Sequence, residues 1–182
     1  MLEFLITRRG GSPCREALPA RLCTLEDIPA LWALQQQVLA ALPDPSLCMP
    51  TAPRELANQL QAGFILAVWD GEDAAAYVSV EYCGQNARSY GRDIGVPDSE
   101  LDTWANLDTV VVRPDLRGNG LQQALLTTAE RFLAPGIYAL GATVSPDNPY
   151  SRRNFEACGW QVVCQKEKYG GVQRLLLQKS VN

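Results

Sequence analysis

One turn constrains the fold of this chain more than any other feature. The sequence VRPDLRGNGLQ, over 112–122, joins an apolar strand-like run, LDTVVV, to a helix-like run, LQQALLTTAERFL. Such a junction is either a plain turn or an anion-binding loop, because unpaired amides and the helix dipole favour an anion at a helix N-terminus. Glycines let the backbone approach a phosphate closely, and Arg117 adds a fixed positive charge. The turn by itself leaves both alternatives open.

Two common nucleotide-binding loops do not match this turn. A mononucleotide P-loop has Lys and then Ser or Thr after its last glycine, whereas Leu121 and Gln122 follow Gly120 here. A dinucleotide fingerprint needs a third small residue and an acidic residue at a later strand end, and this sequence offers no convincing match to either. If the turn binds an anion, the backbone amides of residues 118–122 suit a pyrophosphate.

Strand-like and helix-like segments alternate along the chain. Apolar runs and alternation predict strands over 20–23, 64–69, 74–82, 105–112, 137–144, 161–167 and 173–178. Helical periodicity and capping signals predict a helix that begins near residue 24 and further helices over 54–61, 119–133 and 149–158. This order predicts an α/β fold, a mixed sheet with helices on both faces. We expect residues 1–19 to form an irregular N-terminal arm and residues 20–182 to form a single domain.

The composition indicates a soluble globular protein. The 182 residues are 47% hydrophobic and 20% charged, and the net charge of −4 argues against a nucleic-acid partner. No apolar run is long enough to cross a bilayer, so we expect no membrane partner. The first segment, MLEFLITRRGG, has its charges after its apolar patch, which is the reverse of a secretory signal. We therefore expect a cytoplasmic location.

Cysteine and histidine usage removes several kinds of catalytic site. The six cysteines form no CxxC pair and the chain has no histidine, so we expect no metal site. The lack of histidine also excludes Ser-His and Cys-His nucleophilic pairs.

Two spaced motifs carry a resemblance to a known family. The turn that contains Arg117, Gly118 and Gly120 resembles the acyl-CoA motif of the GNAT N-acetyltransferase superfamily, in which an Arg/Gln-x-x-Gly-x-Gly/Ala turn binds the CoA pyrophosphate. Downstream, NPYSRRNFEACGW over 148–160 resembles the superfamily's Asn-x6-Tyr-Glu-x-x-Gly-Phe helix at the same internal spacing. The resemblance covers roughly residues 20–180.

The resemblance implies a fold and a binding site for the co-substrate acetyl-CoA. The fold is that of acyl-CoA N-acyltransferases, with a central mostly antiparallel, splayed sheet flanked by helices. The pantetheine arm would lie between the splayed strands and pair with the backbone of residues 110–112, where a free amide would stabilise the oxyanion. The amine then attacks the acetyl group directly, which suits a chain without Ser-His or Cys-His pairs. The residues implied to bind the co-substrate are Val110, Val111, Val112, Arg117, Gly118, Asn119, Gly120, Leu121, Gln122, Asn148, Ser151 and Phe155.

Three positions depart from the family pattern. Gln122 replaces the last small residue of the turn, so its side chain must point outward. Phe155 stands where many members have a tyrosine that protonates the leaving thiolate, and Thr143 stands where some members have a glutamate base. Ser151 shares a helix face with Phe155 and is a candidate catalytic group that hydrogen-bonds the leaving sulfur, although it equally suits a helix N-terminus. Asn148 has a similar alternative as a helix cap.

Two carboxylates are candidates for the catalytic base. Glu81 shares a strand face with Tyr77 and Ser79, which indicates either a polar site lining or a solvated sheet face. Asp108 lies four residues before Val112, so strict alternation puts both side chains on one side of the strand. Ordered water is a third route for the amine proton.

These observations favour an acetyl-CoA-dependent N-acetyltransferase that transfers acetyl to a primary amine of a small molecule or peptide. A non-catalytic acyl-CoA-binding module is the alternative, because the usual acid and one usual base are missing. A plain α/β domain with a structural glycine turn is a second alternative, and a homodimer is one assembly that we consider. The residues expected around the acceptor are Arg88, Tyr90, Arg92, Asp93, Tyr150 and Tyr169.

Overall fold

The computed structural model describes residues 2–8 and 14–181. Its strands are β1 (Leu2–Arg8), β2 (Cys14–Leu22), β3 (Gly63–Asp70), β4 (Asp73–Glu81), β5 (Trp104–Val112), β6 (Ala139–Val144), β7 (Gln161–Lys168) and β8 (Val172–Ser180). Its α-helices are α1 (Ile28–Ala40), α2 (Pro53–Ala62), α3 (Tyr90–Asp93), α4 (Leu121–Ala129) and α5 (Pro149–Ala157).

The eight described strands form one sheet in the order β1-β2-β3-β4-β5-β6-β8-β7. The pairing of β5 with β6 is parallel, and the other described pairings are antiparallel. The predicted α/β fold with a mostly antiparallel sheet flanked by helices is therefore confirmed. No helix in the described ranges is long and apolar enough to cross a membrane.

Two apolar clusters hold helices against opposite faces of the sheet. On one face, Leu31 and Leu34 of α1 and Leu56 of α2 pack with Ile65 and Tyr77 of the central strands. On the other face, the buried side of α4 and Phe155 of α5 pack against the remaining strand residues. Because β3 and β4 are covered on both faces, they are buried along most of their length.

The strands β5 and β6 separate partway along their length. Their parallel pairing runs from Trp104 opposite Ala139 to Leu107 opposite Ala142 and then stops. Beyond that point β5 continues to Val112 and β6 to Val144 without further mutual pairing. The sheet is therefore splayed at its centre, as the resemblance implied, and one backbone edge of β5 is left open.

The expectation of an irregular arm over residues 1–19 is wrong for the described part of that segment. Residues 2–8 and 14–22 form β1 and β2, which pair with each other in antiparallel register and extend the sheet beyond β3. The sequence LEFLITR has the period of two that a half-covered strand needs, since Phe4 and Ile6 are buried whereas Leu5 is 69% exposed. The glycines and proline that follow this short pattern in the sequence concealed it, and the strand expected at 20–23 is the end of a longer one.

Residues 83–104, which have no periodic pattern in the sequence and are assigned no strand or helix from it, contain short helices. Tyr90 begins α3 and is buried, and a 3-10 helix spans Asp98–Thr103. Side chains hold the segment to the sheet, because Asn106 Oδ1 of β5 accepts a hydrogen bond from the Tyr90 amide (2.9 Å). The segment is thus fixed against β5 and β6 despite its aperiodic sequence.

Candidate active site

A large cavity opens where β5 and β6 separate. Its volume is about 1410 Å³, which exceeds the roughly 300–1,000 Å³ of an ordinary small-ligand pocket. We call the part lined from residues 116–123 and 144–155 its turn end, and the part lined from residues 42–59, 81–90 and 168–174 its hairpin end. The cavity has room for two ligands that meet near the middle of β5.

The glycine turn lines the turn end and has the backbone conformation that glycine allows. Gly118 and Gly120 have φ of 81° and 74°, in the left-handed region that L side chains rarely adopt. A Cβ placed on Gly120 meets no atom within 4 Å, so this backbone faces open space. The helix α4 begins immediately afterwards at Leu121, which directs its first amides towards the cavity. Arg117, Gly118, Gly120, Leu121 and Gln122 all line the cavity.

Asn119 differs from its neighbours, because it is not among the residues that line the cavity. Its Oδ1 accepts a hydrogen bond from the Thr7 amide of β1 (2.7 Å), and its Nδ2 donates to the Leu116 carbonyl (3.0 Å). The side chain therefore fastens the turn to the first strand and does not point into the site.

The side chain of Gln122 does not point outward as expected. It reaches α5, where its Nε2 donates to Ser151 Oγ (3.0 Å) and its Oε1 accepts from Asn154 Nδ2 (2.7 Å). Gln123 Nε2 in turn donates to Asn154 Oδ1 (3.0 Å). These bonds join the N-terminal turns of α4 and α5, so the large residue at this position links two walls of the cavity.

Asn148 and Ser151 both line the cavity and also form the N-terminal cap of α5. The Asn148 Oδ1 accepts a hydrogen bond from the Ser151 amide (3.0 Å), so the capping role considered for Asn148 is present. Because Ser151 Oγ accepts from Gln122, its own hydroxyl proton stays available to a ligand. Phe155, one turn further, is 2% exposed and packs edge-on against Trp160 with ring centres 5.1 Å apart.

The open edge of β5 carries backbone groups that face the cavity. The Arg113 amide donates to the Ala75 carbonyl (2.9 Å) and Val111 lies opposite Tyr77. Since bonding direction alternates along an antiparallel strand, Val111 bonds towards β4, whereas the amides and carbonyls of Val110 and Val112 face the gap beside β6. An extended ligand could pair with these groups as an additional strand.

A β-bulge changes the direction of the Asp108 side chain. The register between β4 and β5 shifts so that Ser79 opposes Thr109 while Val80 opposes Leu107, which leaves Asp108 as the extra residue. Asp108 therefore does not share a side with Val110 and Val112, which pack against the α4 face. Its side chain instead contacts Gln59 of α2. The expectation from strict alternation is wrong because alternation fails across a bulge.

Asp108 is held by uncharged hydrogen-bond donors at the hairpin end. Gln59 Nε2 donates to its Oδ2 (2.5 Å) and the Tyr90 hydroxyl donates to its Oδ1 (3.0 Å). Tyr169 lies 2.7 Å from Tyr90, hydroxyl to hydroxyl, and 3.0 Å from Thr143 Oγ1. Because each hydroxyl has one proton, the donors run in one direction from Thr143 through Tyr169 and Tyr90 to Asp108. Burial raises the pKa of Asp108 above its usual value, although the Tyr90 hydrogen bond acts against the shift.

Glu81, the other candidate base, also lines the cavity, but it is already paired with a positively charged side chain. Its carboxylate forms an ion pair with the guanidinium of Arg88. Burial raises the pKa of Glu81, and the Arg88 charge opposes that shift. Of the two carboxylates, Asp108 is the one without a positively charged partner among the described residues.

The residues expected around the acceptor divide into two groups. Arg88, Tyr90, Tyr150 and Tyr169 line the cavity, whereas Arg92 and Asp93 do not. Arg92 pairs with Asp98, and Asp93 pairs with Lys168 of β7.

Sequence reasoning missed two polar residues at the hairpin end. Gln59 of α2 is 4% exposed, and its Oε1 has no hydrogen-bond partner in the structure. Arg174 of β8 is 3% exposed and donates to the Ser46 carbonyl (2.7 Å) in the connection between α1 and α2. The only signal in the sequence for Arg174 is a charge directly before the apolar run LLL.

Comparison with known families and structures gives one consistent match. The model of the acetyltransferase (GNAT) family matches residues 32–160, which is more than half of the chain. No curated protein matches the chain in sequence.

Several solved structures share the fold at low sequence identity. An acetyltransferase of the GNAT family from Streptococcus pneumoniae is 17% identical, with a TM-score of 0.67 over 91% of this chain and 99% of the other. A ribosomal-protein-alanine N-acetyltransferase from Brucella melitensis is 20% identical, with a TM-score of 0.65 over 90% and 100% of the two chains. A phosphinothricin acetyltransferase from Sinorhizobium meliloti, solved in complex with acetyl-CoA, is 15% identical, with a TM-score of 0.63 over 91% and 89%.

Proposed function

The chain belongs to the acetyltransferase (GNAT) family, whose co-substrate is acetyl-CoA, and we propose that it transfers acetyl directly to a primary amine of a small molecule or peptide. The observation that carries the proposal is the open edge of β5, which runs from the glycine turn to Asp108 along one cavity. One ligand can lie along this edge and a second can reach the same point from the hairpin end.

The turn end suits the donor. The pyrophosphate of acetyl-CoA would bind the amides of residues 118–122 and the charge of Arg117, since these groups combine a helix N-terminus with a fixed cation. The pantetheine arm would pair with the free groups of Val110 and Val112. Asn119 acts indirectly in this proposal, because it holds the turn without lining the cavity.

The hairpin end suits an amine. An ammonium group has only donors to offer, and the Asp108 carboxylate at this end of the cavity is an acceptor without a cationic partner among the described residues. Removal of the ammonium proton by Asp108 would give the neutral amine that attacks the acetyl carbon. A raised pKa improves a carboxylate for this task, because it brings its proton affinity closer to the operating pH.

After the amine attacks, the negative charge on the oxygen of the tetrahedral intermediate must be stabilised and the CoA thiolate must leave. A free amide of Val110 or Val112 would donate to the oxygen of the tetrahedral intermediate. The nitrogen gives its second proton to solvent, the carbon–sulfur bond breaks, and the acetyl group stays on the nitrogen as an amide. The Ser151 hydroxyl hydrogen-bonds the departing CoA thiolate until solvent protonates it. Phe155 cannot supply that proton, because it has no ionisable group.

Release of CoA thiol from acetyl-CoA, measured against a panel of amines and peptides, tests the proposal. We expect turnover with at least one primary amine and none with acetyl-CoA alone. Tight acetyl-CoA binding without turnover on any acceptor would instead support the non-catalytic binding module. The cytoplasmic location and the homodimer stay predictions that cell fractionation and light scattering address.

A further inference from the structure

Arg174 is a buried cation whose protein partners are all uncharged. It is 3% exposed, and its guanidinium donates to the carbonyls of Ser46 (2.7 Å) and Gln173 (3.2 Å). No Asp or Glu of the described residues forms an ion pair with it. Burying a charge without an opposite charge is costly, so a negatively charged ligand in this cavity would stabilise the buried guanidinium.

The other cations at the hairpin end already have partners. Arg88 pairs with Glu81 and Lys168 pairs with Asp93. The two remaining arginines that line the cavity, Arg117 and Arg153, are exposed and lie at the turn end. Arg174 is therefore the cation at the hairpin end, among the described residues, that is both buried and free of a carboxylate.

The position of Arg174 relates it to the proposed amine site. Its guanidinium carbon lies 5.9 Å from the centre of the Tyr169 ring. The hydroxyl of Tyr169 contacts that of Tyr90, which in turn contacts Asp108. Arg174 and Asp108 thus lie at the two ends of one short series of polar side chains in the same cavity. An acceptor that fills the hairpin end would meet a negative group at one point and a positive group at another.

We infer that the acceptor is a small amine that also carries a carboxylate, with its amine at Asp108 and its carboxylate on Arg174. The inference rests on the proposed function and adds the substrate class to it. Two of the five N–H donors of an arginine are used by Ser46 and Gln173. The others are available for a carboxylate, which guanidinium groups bind in paired hydrogen bonds.

A purely structural role for Arg174 makes a different prediction. If it served only to hold the connection between α1 and α2 through Ser46, its loss would lower stability and affect all acceptors alike. If it binds the acceptor carboxylate, its loss would affect carboxylate-bearing acceptors and leave their carboxylate-free counterparts unchanged.

The test compares Arg174→Met with the parent enzyme on matched acceptor pairs. The pairs are glycine, β-alanine, γ-aminobutyrate and longer homologues, each with the n-alkylamine of the same chain length. For the parent we expect a lower KM for the amino acid than for its alkylamine at one or more lengths. In Arg174→Met we expect the KM for the amino acid to rise about 10-fold to 100-fold, as for loss of a charged hydrogen bond, with little change in kcat or in the alkylamine KM.

Two controls complete the comparison. Arg152→Met removes an exposed arginine of α5 that does not line the cavity, and it should leave every KM unchanged. Arg174→Lys keeps the charge and should recover part of the preference for amino acids. An equal KM increase for both members of each pair in Arg174→Met, or a parent with no preference for the amino acid at any length, would overturn the inference while leaving the acetyltransferase proposal intact.

Binding by calorimetry separates the two proposals further. The same amino acids are titrated into the enzyme–CoA complex, with the parent and with Arg174→Met. Binding that is lost in the variant supports the carboxylate site even if no acceptor is turned over, in which case the proposed catalysis fails alone. Absence of binding to the parent at every length overturns the carboxylate site.

Discussion

At the scale of single residues, the environment of Asp108 suits a base better than a structural carboxylate. Its partners are an amide and two hydroxyl groups, and burial raises its pKa above its usual value. A structural carboxylate would normally be paired with a cation, as Glu81 is with Arg88. The bulge in β5 directs this carboxylate to the hairpin end of the cavity.

We predict that Asp108→Asn lowers kcat/KM by about 10²-fold to 10⁴-fold, the usual contribution of a general base. Since only the ionised carboxylate accepts the proton, activity in the parent should fall as the pH drops through a pKa above the ordinary value of roughly 3.9. Rate–pH profiles of parent and variant test this, and an acidic limb of unchanged size and position in Asp108→Asn would rule out Asp108 as the base.

The same substitution has an opposite effect on stability. Because the pKa of Asp108 is raised in the folded state, the folded protein binds this proton more tightly than the unfolded chain, so stability declines as the pH rises from the ordinary carboxyl pKa through the raised one. We expect Asp108→Asn to remove this decline and to increase the free energy of unfolding at pH 7 by roughly 1 kcal/mol. Urea denaturation measures it, with Asp73→Asn at an exposed position as the control.

Ser151 has a narrower expected role. Its hydroxyl accepts from Gln122 and keeps a proton for the leaving sulfur. We predict that Ser151→Ala lowers kcat roughly 10-fold, the effect of one lost hydrogen bond in the transition state, while the Kd for acetyl-CoA changes little. Single-turnover rates and binding titrations distinguish the two quantities. Ser151→Thr keeps the hydroxyl and should stay close to the parent, and a kcat for Ser151→Ala equal to that of the parent would eliminate the role.

At the scale of elements, the glycine turn matters through its backbone. Both glycines have positive φ, and the space outside Gly120 is open, so the requirement for glycine there comes from conformation and from what binds the turn. Gly136 offers a matched comparison, since its φ is 89°, a Cβ there also meets no atom, and it lies outside the cavity.

We predict that Gly120→Trp and Gly136→Trp both lose about 1–2 kcal/mol of stability, because each forces an L side chain into the left-handed region. Only Gly120→Trp should also raise the Kd for acetyl-CoA, by about 10-fold or more, since its indole occupies the space next to the first amides of α4. Thermal unfolding and calorimetric titration give the two quantities. Equal affinity for acetyl-CoA in the two variants would make the turn a structural feature only.

Some strands and helices could be predicted from the sequence more readily than others. Apart from the short helices within 83–104, the strands and helices from 64 to 178 follow from periodicity and turn residues, because each has a clear local pattern. The first two strands were not predicted, because their alternation is short and is interrupted by Gly and Pro residues in the sequence. The helices within 83–104 depend on tertiary bonds such as that from the Tyr90 amide to Asn106, which no local pattern reveals.

At the scale of the whole molecule, the first strand is coupled to the proposed donor site. The Thr7 amide and Asn119 are 112 residues apart in sequence and joined by one hydrogen bond. The addition of β1 and β2 to the sheet thus fixes the glycine turn from outside the cavity.

We predict that Asn119→Ala destabilises the protein by about 1–3 kcal/mol, because it leaves the Thr7 amide without its acceptor. It should also raise the Kd for acetyl-CoA although Asn119 does not line the cavity. Hydrogen exchange should increase at Thr7 and in the turn. An unchanged Kd for acetyl-CoA in Asn119→Ala would contradict the coupling.

The sequence alone determined the α/β fold, the family resemblance and the group of residues at the turn end, because these depend on local periodicity, glycine conformation and the spacing of two motifs. Only the tertiary structure decided the direction of Asp108, the link from Gln122 to Ser151 and the burial of Arg174. A bulge changes the side to which a strand residue points, and burial depends on what other elements cover. The proposed donor site is therefore largely a local property of this chain, whereas the proposed acceptor site is a product of long-range packing.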